Sequence, residues 1–139
     1  MALNGVLVVL LELPVIELYG KRNKSKLMAL GAILLGLCYL VLLYEHSIAI
    51  PILCLILFSI GEIFTLPFIT SAIINRAPES LRGRYLALYG MAFSITHIIT
   101  PIISLKVAEV YSFQTLWIMV GVVSLIAACG YWFLQKEFK

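Results

Sequence analysis

The sequence predicts an all-α membrane protein with five transmembrane helices, on the strength of its composition and of where its charges lie. Of 139 residues, 63% are hydrophobic and only 12% are charged, and the mean hydropathy is +1.08. Soluble domains carry roughly 45–50% apolar and about 25% charged residues, so this chain departs in both directions at once. Seven of its ten Lys and Arg residues fall in two short segments. One is Gly20-Lys21-Arg22-Asn23-Lys24-Ser25-Lys26; the other is Asn75-Arg76-Ala77-Pro78-Glu79-Ser80-Leu81-Arg82-Gly83-Arg84. Long apolar runs flank both. A cation at the bilayer centre costs about 2.5–3.5 kcal/mol on the insertion scale, which confines such residues to loops.

A spanning helix needs roughly 20 mostly apolar residues, and five runs approach or exceed that length: 2–19, 27–44, 48–74, 85–105 and 113–134. The first carries Asn4, Glu12 and Glu17. No basic segment precedes it, so it reads as a transmembrane helix and not as a signal peptide. The second holds no ionisable group between its ends. The third is long for one span; Pro51 falls near its start and Pro67 is expected to kink or break its second half. It also contains Ser59, Glu62 and Thr65. In the fourth, Gly90, Ser94, His97, Pro101 and Ser104 fall within roughly 40° of one line down a helix. Such a seam reads either as a close-packing surface or as a wall that presents His97 to a water-accessible cavity. The fifth has Trp117 and Trp132 near its two ends, the headgroup level that amphipathic rings prefer.

With the polar residues concentrated in the first, third and fourth runs, those helices are expected to face protein or water. The second and fifth are expected to face lipid, with Leu35, Leu42 and Leu125 exposed. Orientation follows from the short loops. Lys21, Arg22, Lys24, Lys26, Arg76, Arg82, Arg84, Lys136 and Lys139 share one side, against Lys106 alone on the other. The basic side is cytoplasmic by the positive-inside rule. This gives a multi-pass protein of the inner or plasma membrane, N-terminus outside and C-terminus in the cytoplasm.

Several function classes drop out. Cys38, Cys54 and Cys129 all lie within apolar runs, an odd scattered set that reads as small core residues and not as a disulfide framework or metal cluster. His46 and His97 are too far apart for a two-histidine metal motif, and no nucleophile elbow or phosphate-cradling glycine loop is present. The chain is therefore expected to be no enzyme, with no cofactor and no metal. The cations lie in loops and form no basic face for nucleic acid.

The candidate functional residues are Glu62, His97, Glu12 and Asn4. A mid-span carboxylate must be neutral, paired or hydrated, so Glu62 reads as a proton-coupling or substrate-contacting acid, or as a protonated acid bonded between helices. Its nearest chemical complement is His97, also mid-span. Glu17 is placed to pair with Lys21 at i+4. Arg76, Arg82, Arg84, Lys21 and Arg22 read as topology anchors or as a cytoplasmic gate.

The segment Ala77-Pro78-Glu79-Ser80-Leu81-Arg82-Gly83-Arg84-Tyr85 resembles the cytoplasmic loop between the tenth and eleventh helices of major facilitator superfamily transporters, closest to the bacterial drug- and metabolite-efflux-like branch. Tyr89-Gly90 with Thr100-Pro101 resembles the eleventh helix, and Gly61-Glu62 with Pro67 the tenth. Leu3-Asn4-Gly5 through Glu12-Leu13-Pro14 resembles the eighth, followed by the basic loop at 20–26. Two departures stand out: Gly20 and Asn23 occupy the usual Asp and Gly positions of that loop, and Glu12 replaces a common Gln. The resemblance implies helices 8–12 of a twelve-helix fold, part of its C-terminal six-helix half. It implies secondary transport of a small molecule by alternating access, with proton-coupled efflux as the candidate form. The chain is then a fragment that needs the missing N-terminal half as partner. The alternative is a non-transporting remnant or an accessory subunit that packs against another membrane protein.

Overall fold

The computed structural model describes residues 2–20, 22–44 and 48–134, without the side chains of residues 2–4, 6 and 7. Those residues form five α-helices and no strand: α1 (Ala2–Tyr19), α2 (Lys24–Val41), α3 (Ala49–Arg76), α4 (Arg82–Val110) and α5 (Phe113–Phe133), with a 3-10 turn at Glu79–Leu81 before α4. Among the described residues, four stretches are long and apolar enough to cross a membrane: Lys24–Val41, Ala49–Arg76, Glu79–Val110 and Phe113–Phe133. At 1.5 Å per residue α3 and α4 each run to about 42 Å, longer than the roughly 30 Å hydrocarbon core, so they tilt or extend past it.

Helix α1 and the start of α5 coincide with the apolar runs, whereas α2 begins three residues before its run because a cap sets that end. Asn23 sits in extended backbone, and its side chain accepts a hydrogen bond from the Ser25 amide at 3.1 Å. It thereby starts α2 at Lys24, inside the basic loop, where such a cap is worth about 1 kcal/mol. The Asn that departs from the family loop thus has a local role. Ser112 does the same for α5, accepting from the Thr115 amide at 3.2 Å. Helix α3 runs unbroken through Pro67; the proline removes one ladder bond without ending the helix.

The chain divides into two compact units, residues 1–69 with 117–139 and residues 70–116, so the boundary crosses α3 just beyond Pro67. In the first unit α2 is the central element. Ser25, Leu27, Met28, Ala29, Gly31, Ala32, Gly36 and Cys38 are all buried. Gly31 meets Gly61 and Thr65 of α3: a Cβ built on Gly31 would lie 2.8 Å from the Gly61 carbonyl oxygen. Gly36 meets α5, where a Cβ would lie 3.1 Å from Ser124 Cβ and 3.4 Å from the Gly121 carbonyl oxygen. Tyr39 stacks on Trp117 at 5.9 Å, and the Ser25 hydroxyl donates to the Tyr131 carbonyl. These contacts run in opposite order along the two helices, so α2 and α5 are antiparallel. Tyr19, at the end of α1, meets Phe64 edge-on at 5.7 Å.

This arrangement corrects the expectation that α2 faces lipid. Lipid tails are as apolar as Leu, so an apolar helix gains nothing by facing them; small residues that admit close backbone approach decide which faces pack. Leu35 and Leu42 are accordingly half-buried, whereas Leu125 is exposed as expected.

The second unit joins the end of α3 to α4. Arg82 Nε donates to the Ile74 carbonyl at 3.2 Å, supplying a cation and a donor where the end of α3 leaves carbonyls unpaired. Its contact with Glu79 at 3.8 Å is exposed on both sides and adds little. No residue of α4 is buried.

Candidate functional site

Helix α3 places Glu62 at its middle, thirteen residues after Ala49 and fourteen before Arg76, roughly 20 Å along the axis from either end. Its neighbours Gly61 and Ile63 are buried, while Glu62 itself is half-buried, within electrostatic range of Tyr39. The two hydroxyls that the sequence grouped with it are occupied by their own helix. Ser59 donates to the Leu55 carbonyl at 2.8 Å and Thr65 to the Gly61 carbonyl at 2.6 Å. Such back-bonding satisfies a buried hydroxyl without a partner helix. Between Ser59 and Thr65, Glu62 carries the ionisable side chain.

His97 belongs to the other unit, mid-way along α4 and exposed. Its ring lies 4.3 Å from that of Phe93, and Nδ1 is 3.2 Å from the Phe93 carbonyl oxygen. A carbonyl only accepts, so Nδ1 is the donor in this contact. Ser94 and Thr96 also bond back to their helix, to Gly90 at 2.9 Å and Phe93 at 2.7 Å. Among the described residues, a Cβ added to Gly90 would meet nothing within 4 Å.

Glu12 is half-buried on α1 and Glu17 is exposed. The side chain of Asn4, and Lys21, His46, Lys136 and Lys139 entirely, lie outside the described residues. The expected Glu17–Lys21 pair falls there too. Arg76, Arg82 and Arg84 cluster around the turn between α3 and α4, all exposed, with Arg82 bonded as described. Arg22 belongs to the first unit, its guanidinium 5.5 Å from the centre of the Tyr19 ring.

The Cys38 and Cys54 thiols, on facing stretches of α2 and α3, lie within hydrogen-bonding reach of each other. They line a cavity of about 230 Å³ with Tyr39, Leu42, Pro51, Leu55 and Phe58. That is below the roughly 300–1,000 Å³ of ordinary ligand pockets. Reading the three cysteines as a scattered set hid this pair, and the antiparallel register of α2 against α3 is what brings it together.

A family model described as Major Facilitator Superfamily matches residues 1–139. The chain belongs to that superfamily. Neither the curated proteins nor the solved structures include a match. Membership agrees with the all-helical fold and with the long apolar helices, and makes this a multi-pass membrane protein in contact with the lipid bilayer. The superfamily is one of transporters and not of enzymes, and its members act on small molecules.

Proposed function

We propose that the chain carries out secondary transport of a small molecule by alternating access, as helices eight to twelve of a Major Facilitator Superfamily transporter. A complementary N-terminal half completes the pathway. The observation that supports this reading is a half-buried carboxylate at the middle of α3. An acid at that depth is costly and marks a substrate or proton route by default. Here Glu62 takes up a proton from one side and gives it to the other as the helices rearrange, which makes the transport proton-coupled and, by the branch resemblance, efflux. His97 and Glu12 are the further pathway candidates, with Asn4. Arg76, Arg82, Arg84, Lys21 and Arg22 hold the cytoplasmic side, as anchors or as a gate toward the complementary half.

Transport in proteoliposomes under an imposed pH gradient, with a panel of drugs, sugars and peptides, tests the proposal. The chain assembled with its complementary half moves at least one compound, and the chain alone moves none. Glu62→Gln keeps shape and hydrogen bonding but cannot carry a proton, so it abolishes the pH dependence while membrane insertion is unchanged. Normal transport across pH by Glu62→Gln contradicts the role of Glu62. Absence of any transport by the assembled protein favours the accessory-subunit reading.

A further inference from the structure

At the end of the first unit where α2 begins and α5 ends there is a cavity of about 630 Å³, lined by Tyr19, Arg22, Asn23, Lys26, Leu27, Leu30 and Trp132. Its chemistry is divided. Arg22 and Lys26 supply two cations, and Asn23 caps α2, whose N-terminus adds the positive end of an 18-residue helix. Beyond them Leu27 and Leu30 form an apolar wall, with Leu30 45% exposed. Each cation is held by an aromatic face, Arg22 at 5.5 Å from the Tyr19 ring centre and Lys26 at 5.9 Å from that of Trp132. Such contacts are worth about 0.5–1 kcal/mol at exposed sites, and they order the two long side chains before any ligand arrives. Among the described residues, no carboxylate forms an ion pair with either cation.

We propose that this cavity binds an anionic glycerophospholipid, its headgroup phosphate between Arg22 and Lys26 at the start of α2 and its acyl chain along Leu27 and Leu30. A basic pocket between helices at the cytoplasmic membrane surface is the setting in which proteins hold anionic headgroups. The apolar wall beside the cations selects an amphiphile over free phosphate. The two positive side chains disfavour a zwitterionic lipid, whose own cation would lie beside them. The site is independent of Glu62 and of the transport reading.

Two tryptophans make the test direct. Trp117→Phe preserves a ring against Tyr39 and leaves Trp132 as the sole emitter. The protein is placed in phosphatidylcholine vesicles containing either brominated phosphatidylglycerol or brominated phosphatidylcholine at equal mole fraction. Trp132 is quenched more strongly by the brominated phosphatidylglycerol. Arg22→Gln and Lys26→Gln each lower the relative association constant about fivefold, the effect of one cation at a membrane surface. Arg22→Lys largely retains it, and Arg84→Gln, in the other basic segment, leaves it unchanged. Equal quenching by the two lipids overturns the proposal. So does insensitivity to both Gln variants when their helicity by circular dichroism matches the parent. An equal loss in Arg84→Gln assigns the effect to general surface charge, and displacement by inorganic phosphate makes the site one for a free anion; either result overturns the lipid assignment.

Discussion

Gly31 and Gly61 lie where α2 and α3 come closest, and a Cβ on either would sit 2.8 Å from an atom of the opposite helix. Gly90 on α4 has open space instead. The three look alike in the sequence, yet a side chain at the first two must push the helices apart. Gly31→Val therefore destabilises the chain by about 1–3 kcal/mol, the usual cost of overpacking, read from denaturation in mixed micelles. Gly90→Ala is neutral or raises stability by up to about 1 kcal/mol, because Ala suits a helix interior better than Gly. Equal losses in both variants contradict the packing described. The same scale shows why the hydroxyls misled. Ser59 and Thr65 are buried as a protein-facing side requires, but Ser94 and Thr96 bond back to their own helix and stay exposed, so polarity alone did not mark a buried face on α4.

Pairs of elements carry the register. In α2 and α3 the antiparallel order that places Gly31 against Gly61 also brings Cys38 to Cys54. With Cys129 changed to Ser, mercuric ion bridges the two remaining thiols, each giving up its proton to form an S–Hg–S link. One mercury per chain with both thiols protected from maleimide is the expected mass-spectrometric result. Independent alkylation of both thiols after mercury treatment contradicts the register. Helix number and rough position were legible in the sequence because hydropathy alternates so sharply with charge. The start of α2 was not, since Asn23 caps it inside the basic loop, three residues before the apolar run. Nor was the centrality of α2, because lipid and protein interior are equally apolar and the close approaches at Gly31 and Gly36 depend on glycines of other helices. Of the candidate site, Glu62 and the clustered arginines were legible as single residues. The cavity at Tyr19, Arg22, Lys26 and Trp132 was not, since it joins residues more than a hundred positions apart.

For the whole molecule, the transport reading, the mid-membrane depth of Glu62 and the leaflet in which the lipid cavity opens all depend on how the chain threads the bilayer. The antiparallel contacts of α2 with α3 and α5 agree with successive crossings. The basic bias of nine residues against Lys106 supplies the direction. Single-cysteine labelling in a background without Cys38, Cys54 and Cys129 tests this most directly. Ser25 is unsuitable because it is fully buried, so the exposed positions Arg22, Ser80 and Tyr111 are used, together with an epitope tag at the N-terminus. Five crossings with basic loops inside predict that Arg22→Cys and Ser80→Cys react with a membrane-impermeant maleimide only in inverted vesicles. Tyr111→Cys and the N-terminal tag are then reached only from outside intact cells. The reverse pattern, or Arg22→Cys and Tyr111→Cys reacting from the same side, contradicts the account.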